Sequence, residues 1–554
     1  MTNKTKLYIL SGLCGFLFLS FLTLEQKTNN RFEIGKNLDI FTSLYKEVNT
    51  YYVDGTQPGE LMKKGIDAML ESLDPYTVYY PESEIEDYKL MTTGQYGGIG
   101  ARIRRINDFV VIAEPYENFP AYKAGLRAGD IILEVDGNSV KGKSTSDLSK
   151  ILKGNPGTSL TVKVKRPGKD EEFDISFKRE KVKIKSVPYY GMVTDSIGYL
   201  KMNSFTSKVT QEVKEAILAL KSNSAMKSLV FDLRGNPGGL LHEAINTVNL
   251  FTKKGVTVVE TRGKIDAWAK TYKTLNSPLD KNLHIVILVN GGSASASEIV
   301  SGALQDFDRA VVLGRNTYGK GLVQTTRHLK YNTSLKVTTA KYYIPSGRCI
   351  QAIDYANKDE KGNPIKIPDS MLTEFKTQNG RIVLDGAGVK PDVEMDKIKY
   401  GSVARALVSK DYIFNYATTY VLENDSVTDP KTFKLSDEQF DQFLSFLDSS
   451  KYDFETATDI RLTQLKKNAE KEEYLDLIQT ELDAIEHKLN KSKKLELVKH
   501  KEQIKNLLEA EVVARYFFQS GRIENKLGDD PYIKRAVEIL SNSKEYNAIL
   551  SGDK

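Results

Sequence analysis

The sequence predicts an α/β core held between helical flanks, with a small strand-rich domain ahead of the core. Three observations predict it. From about residue 183 to 399 short apolar runs alternate with amphipathic segments, between 95 and 182 period-two alternation and glycine turns dominate, and elsewhere apolar residues recur at three and four. The bulk numbers agree, because 554 residues are enough for several domains and 40% hydrophobic with 27% charged residues is the composition of a folded chain. Net charge is small: 79 basic against 73 acidic residues leave +6, so nucleic acid is not an expected partner. Cys14 and Cys349 provide neither a disulfide framework nor a zinc cluster. The five histidines, His242, His284, His328, His487 and His500, lack ligand spacing. We therefore expect no metal and no cofactor.

Residues 1–30 read as a membrane segment. Lys4 and Lys6 precede the uncharged, mostly apolar run Leu7 to Leu24, whose length is at the short end for a spanning helix. No small-x-small cleavage site stands out after Leu24, so residues 7–24 read as an uncleaved anchor in the inner (cytoplasmic) membrane. The lysines keep their end inside and send the remainder to the extracytoplasmic, periplasmic side; were the leader cleaved, the chain would be secreted. Residues 31–94 read as helical, since Ile34, Leu38, Phe41, Tyr45 and Val48 form one apolar face and a second helix runs from about Pro58 to Leu73, where Asp74-Pro75 ends it. This region suits packing or dimerisation, so a homo-oligomer or a regulatory partner is left open.

Residues 95–182 change character. Gly97-Gly98-Ile99-Gly100 opens an alternating run from Ala101, followed by Ala124-Gly125-Leu126, Gly129-Asp130, the strand Ile131 to Val135, a short helix with Leu148 and Leu152, and a strand from Leu160 to Lys165. These segments resemble a PDZ domain. The physics suits peptide capture: a glycine loop can aim several N–H groups at a terminal carboxylate, and the strand after it can offer an open edge.

Residues 183–399 carry two segments of chemical interest. The first is Asp232-Leu233-Arg234-Gly235-Asn236-Pro237-Gly238-Gly239, where an apolar strand stops at a glycine-rich turn before a helix. Such a turn can leave N–H groups available for an oxyanion; it is equally a plain strand-to-helix turn. The second is Gly291-Gly292-Ser293-Ala294-Ser295-Ala296-Ser297-Glu298, entered from the apolar run His284 to Val289 and answered by Tyr318-Gly319-Lys320-Gly321. Ser295 stands where a strand hands over to a helix, with free helix N–H groups beside it. Ser295-x-x-Glu298 also has the spacing of a capping box. Lys320 could serve as its base if burial brought the amine from about 10.4 to roughly 7–8, although a lysine between glycines is more commonly an exposed hairpin residue. Leu322, Gln324 and Thr326 share strand parity with Lys320, so Gln324 could orient the amine.

Together S-A-S-A-S-E-I (293–299), G-A-L-Q-D (302–306), T-Y-G-K-G-L-V-Q (317–324), D-L-R-G-N-P-G-G (232–239), I-P-S-G-R (344–348) and G-V-K-P-D (388–392) resemble the carboxyl-terminal processing, or tail-specific, proteases, a Ser-Lys peptidase family. The resemblance covers roughly residues 35 to 395. It implies a crotonase-like (ClpP-like) α/β catalytic core with an inserted PDZ domain. It implies Ser295 as nucleophile, Lys320 as base and Gln324 as its support, with an oxyanion hole from the N–H of Ala296 and that of Gly238 or Gly239. It implies peptide capture at Gly97, Gly98, Ile99 and Gly100, and protein substrates with free C-termini. Ala387 departs from the family's third glycine, far in sequence from the dyad. The alternative is a PDZ scaffold with an inert core, which would not need Ser295, Lys320, Gln324 and the Gly238-Gly239 turn together.

Residues 400–554 lie outside the resemblance. Leu475, Ile478, Leu482, Ile485 and Leu489 form one apolar face, and after a Lys-rich break at Lys491 to Lys494 a second includes Leu497, Ile504 and Leu508, so this extension reads as a helical hairpin. Its basic clusters read as a solvated face.

Overall fold

The structure, a computed structural model, describes residues 31–223, 225–449 and 457–552. The run 7–24 lies outside the described residues, among which no helix is long and apolar enough to cross a membrane. The chain divides into two units, one ending at Tyr79 and one starting at Tyr80.

In the first unit a helix spans 31–51 and a second spans Pro58–Glu71. Proline at the first position of the second helix suits a place where no N–H is needed. Tyr45 ties the two helices by donating to the Pro58 carbonyl at 2.7 Å. Asp74 ends the pattern by accepting the N–H groups of Tyr76 and Thr77, each at 2.8 Å. Helical periodicity does not extend through to residue 94: the strand Val78–Tyr80 intervenes before the helix Ile85–Thr93. Ile34, Leu38, Phe41 and Val48, read as an apolar packing face, are exposed within the single chain.

The strand-rich domain is an antiparallel sheet ordered Ala101–Ile106, Phe109–Pro115, Ile131–Val135, Ser159–Lys165 and Glu172–Lys178, with the helix Thr145–Leu152 against it. Ile112, Leu126, Ile132, Leu148 and Val162 form its core. Asp130 of the Gly-Asp motif is structural, since it is buried and takes two 2.7 Å bonds from Arg166.

The α/β core is a six-stranded sheet ordered Tyr189–Met192, Ile197–Lys201, Ser228–Asp232, His284–Val289, Val311–Gly314 and Val393–Glu394, parallel after its first pair. Helices Val209–Asn223, Leu241–Asn249 and Ala296–Asp306 pack on one face. Helices Pro531–Ser541 and Ser543–Ser551, from the far end of the chain, supply Ile533, Ala536, Ile539 and Tyr546 to the other. With both faces covered, the central strand His284–Val289 is apolar from Ile285 onward. A second, antiparallel sheet pairs Ser334–Tyr343 with Leu322–His328 on one side and Thr257–Gly263 on the other.

After residue 400 the chain is helical, but the expected hairpin is differently built. Leu475–Lys499 runs unbroken through the lysine-rich stretch and ends at His500, and its hairpin partner is Ala457–Lys471. Lysine is a good helix former and the stretch contains neither glycine nor proline, so nothing local breaks the helix there. Leu497, Ile504 and Leu508 join the buried cluster of Val403, Tyr416, Phe440 and Phe443.

Candidate active site

Two turns at the C-terminal ends of neighbouring parallel strands meet at the site. Asn290 Oδ1 accepts the N–H of Gly292 and that of Gly235, both at 2.9 Å, so one side chain ties the turn after His284–Val289 to the turn after Ser228–Asp232. Ser293 and Ser297 extend the clip. Both are fully buried, Ser293 donating to the Leu233 carbonyl at 2.8 Å and Ser297 to the Asn236 carbonyl at 2.9 Å. Ser295, between them, has φ 54° and ψ −112°, a backbone conformation that costs energy for a residue with a Cβ. Such strain at a strand-to-helix turn presents the hydroxyl outward, and Ser295 lines a cavity of about 550 Å³.

Lys320, Gln324, Ala296, Gly238 and Gly239 line the same cavity, together with apolar Leu90, Met91, Leu241, Ile299, Leu322 and Val323. The structure therefore brings Ser295, Lys320, Gln324 and both candidate glycines to one cavity. Gln324 Nε2 donates to Thr338 Oγ1 at 3.2 Å. The glycine turn approaches so closely that a Cβ on Gly238 would lie 2.9 Å from both the Ala296 nitrogen and Ser295 Cβ, at φ 100°. The N–H of Gly238 donates to Asn236 Oδ1 at 2.9 Å. Phe205 bridges this segment in parallel through the Gly238 carbonyl and the Leu240 N–H, so the N–H of Gly239 points the other way. Among the described residues, the N–H groups of Gly239 and Ala296 make no hydrogen bond.

Two residues that sequence reasoning gave no catalytic part hold this arrangement. Glu298, fully buried, accepts the N–H of Ser295 at 2.7 Å, of Gly319 at 2.7 Å and of Lys320 at 2.9 Å, and the hydroxyl of Thr317 at 2.5 Å. One carboxylate thus joins the main chains of the serine and the lysine. Burial pushes its pKa up, and the Thr317, Lys320, Gly319 and Ser295 donors partly oppose that shift. Tyr342 works from the other side, its hydroxyl lying 2.6 Å from the Lys320 carbonyl and 3.1 Å from that of Ser295. Burial, then the nearby Glu298, raises its pKa well above the ordinary phenol value, so it stays a donor. The Ser-x-x-Glu spacing pointed to Glu298, but only as a helix cap. Nothing in the alternating strand singled out Tyr342.

Other motif residues lie elsewhere. Gln305, Asp306, Arg348, Arg381 and Asp392 form a buried ion lattice at the far end of the helix Ala296–Asp306, with Arg348 2.8 Å from both Asp306 and Gln305. Gly97, Gly98, Ile99 and Gly100 sit apart from the cavity. Gly97 and Gly98 pair with Lys181 and Glu180, while the Ile99 and Gly100 carbonyls take the N–H groups of Ala121 and Tyr116. The strand that follows, Ala101–Ile106, is at the edge of its sheet. Among the described residues, no three His, Cys, Asp or Glu side chains gather as a metal-holding group.

Comparison with known proteins accords with this geometry. The profile of Peptidase family S41 matches residues 196–358, that of a PDZ domain residues 111–166, and that of the probable PDZ-protease C-terminal helical domain residues 403–540. Family likeness therefore extends well past residue 400. A carboxy-terminal-processing protease of Bartonella bacilliformis is 38% identical over 61% of this chain and 78% of its own length. A probable CtpA-like serine protease of Staphylococcus aureus is 35% identical over 70% of each. The solved photosystem II D1 C-terminal processing protease is 27% identical, with TM-score 0.34, over 64% of this chain and 92% of that one. On the extent of its likeness to the first two relatives, this chain belongs to the carboxy-terminal-processing serine proteases, with a PDZ domain and a helical C-terminal domain.

Proposed function

We propose that the cavity cleaves peptide bonds by Ser-Lys acyl transfer. Lys320 Nζ takes the Ser295 Oγ proton as Oγ bonds to the substrate carbonyl carbon, and the resulting oxyanion accepts from the N–H groups of Ala296 and Gly239. The lysine then returns the proton to the leaving amine, and water releases the acyl group from Ser295. Gln324 supports the amine. The observation that carries this reading is that Ser295 and Lys320 line one cavity, with their main chains joined through Glu298.

Substrates are proteins with free C-termini, captured at the Gly97–Gly100 segment and along the edge strand Ala101–Ile106 by strand addition. The apolar cavity wall suits an apolar side chain beside the scissile bond. The core is read as crotonase-like, the run 7–24 as an anchor, and the remainder as extracytoplasmic. A gel assay on a protein substrate tests the mechanism. Ser295→Ala and Lys320→Ala should each lower cleavage about 10⁴-fold or more, and the wild-type rate should rise with pH between about 6 and 9. Retained activity in Ser295→Ala would overturn the assignment, and a flat pH profile would remove lysine as the base.

A further inference from the structure

The turn that carries Gly238 and Gly239 is gripped from outside the peptidase core. Arg234, four residues before Gly238 in the chain, stands in a buried cluster with Asp232, Lys201 and Tyr199. Its Nη2 reaches Asp232 at 2.7 Å and its Nε reaches both oxygens of the same carboxylate at 3.1 Å, while its carbonyl accepts Lys201 Nζ at 2.5 Å. Burial alone would raise the Asp232 carboxyl, but the Lys201 and Arg234 charges hold it well below the usual carboxylate range. Arg234 has one further nitrogen, Nη1, and that lies 2.8 Å from Asp530 of the C-terminal helical domain. The Tyr532 ring lies under the guanidinium, 5.1 Å from its centre. Asp530 divides its carboxylate, one oxygen capping the helix Pro531–Ser541 through the N–H groups of Tyr532 and Ile533 and the other meeting Arg234.

We infer that Asp530 is a positioning residue for catalysis: the C-terminal helical domain holds Arg234, and through it the Gly235–Gly239 turn, against Ser295 and Ala296. This rests on the Ser-Lys reading of the cavity. Burial is what gives the contact its leverage. Arg234 and Asp530 are mostly hidden from water, so the pair is little screened and its charge-assisted contact is directional. Gly238 has no slack in this geometry, with the Ala296 nitrogen and Ser295 Cβ against its α-carbon. A shift of the turn therefore moves an oxyanion donor relative to the nucleophile. The same domain also reaches the PDZ domain, where Arg522 of the helix Lys501–Lys526 lies 3.0 Å from Glu114.

The test uses the full chain with Asp530→Asn. Asparagine caps a helix as well as aspartate does, so this change removes the ion pair and keeps the cap. We expect kcat on a short peptide to fall about 10- to 100-fold with KM within about twofold, the loss seen when a reacting group is misplaced by about an ångström. Asp530→Glu, which keeps the charge but caps the helix less well, should recover most of the rate, and kcat should not follow melting temperature across the three proteins. Arg522→Gln, which breaks the distant PDZ contact, should keep kcat on the same peptide within about twofold. Wild-type kcat in Asp530→Asn, or an equal loss in Arg522→Gln, overturns the inference. Ser295→Ala is assayed in parallel: persistent cleavage there defeats the Ser-Lys reading, whereas an inactive Ser295→Ala beside a fully active Asp530→Asn defeats only the role of Asp530.

Discussion

The helix Ala296–Asp306 is buried along its whole length, yet its two ends are built from opposite chemistry. At the N-terminal end the Glu298 carboxylate is met by neutral donors, three backbone N–H groups and one hydroxyl. At the other end Asp306 meets the Arg348 guanidinium, and Asp308 and Asp392 meet Arg381. The partners differ in what they hold. Backbone donors fix the main chain of Ser295, Gly319 and Lys320, which places reacting groups to fractions of an ångström. Side-chain ion pairs fix whole segments, bringing the stretches around 348, 381 and 392 onto the helix. One end serves placement and the other serves assembly.

Substitution can break that distinction. The largest effect is expected at the assembly end, where Arg348→Leu leaves Asp306 buried without its cation and should cost about 3–5 kcal/mol in urea unfolding. The kcat of the folded fraction should stay within about twofold. Next comes Glu298→Gln, in which an amide NH₂ replaces one accepting oxygen and confronts N–H donors. We expect kcat to fall about 10- to 100-fold, with a smaller change in unfolding free energy than Arg348→Leu gives. If Glu298→Gln proves the less stable protein and keeps its rate, the two ends do the same work and the comparison fails.

Neither end of this helix was fully legible in the sequence, for a physical reason. G-A-L-Q-D, I-P-S-G-R and G-V-K-P-D were visible only through the family resemblance, and their meeting as an ion lattice, with Arg381 from outside these motifs, depends on the fold. His284 to Val289 was legible as a strand but not as a central one; its unbroken apolar run from Ile285 fits the cover that the fold puts on both faces. Ser293, Ser295 and Ser297 were visible, but which of them are clips depends on the carbonyls of Leu233 and Asn236, which only folding brings near. Glu298 was marked by local spacing, while three of its four partners come from the segment Thr317–Lys320. The choice between Gly238 and Gly239 could not be made from residue type, since the direction of each N–H depends on the bridge to Phe205. Amphipathic periodicity likewise shows that a helix has a face to bury but not what covers it. Hence nothing in the sequence showed that residues 531–551 close the back of the core sheet.

The placement end also gives two finer tests. Tyr342→Phe removes only the hydroxyl that lies between the Ser295 and Lys320 carbonyls. A hydrogen bond of that kind contributes about 0.5–1.5 kcal/mol, so kcat should fall roughly two- to tenfold while substrate affinity holds. Combined with Glu298→Gln, the losses should be non-additive, because both residues hold the same pair of peptide units; simple additivity would mean that they act separately. The smallest effect concerns pH. Burial raises the Glu298 pKa above 4.5, so the folded chain binds this proton more tightly than the unfolded chain. Its contribution to stability is then present in full below that value and is lost as pH rises through the folded-state pKa. Wild-type stability should therefore fall relative to Glu298→Gln as pH rises from below 4.5, measured by urea unfolding at each pH. A difference that stays level would mean that the four donors fully offset the burial of this carboxylate.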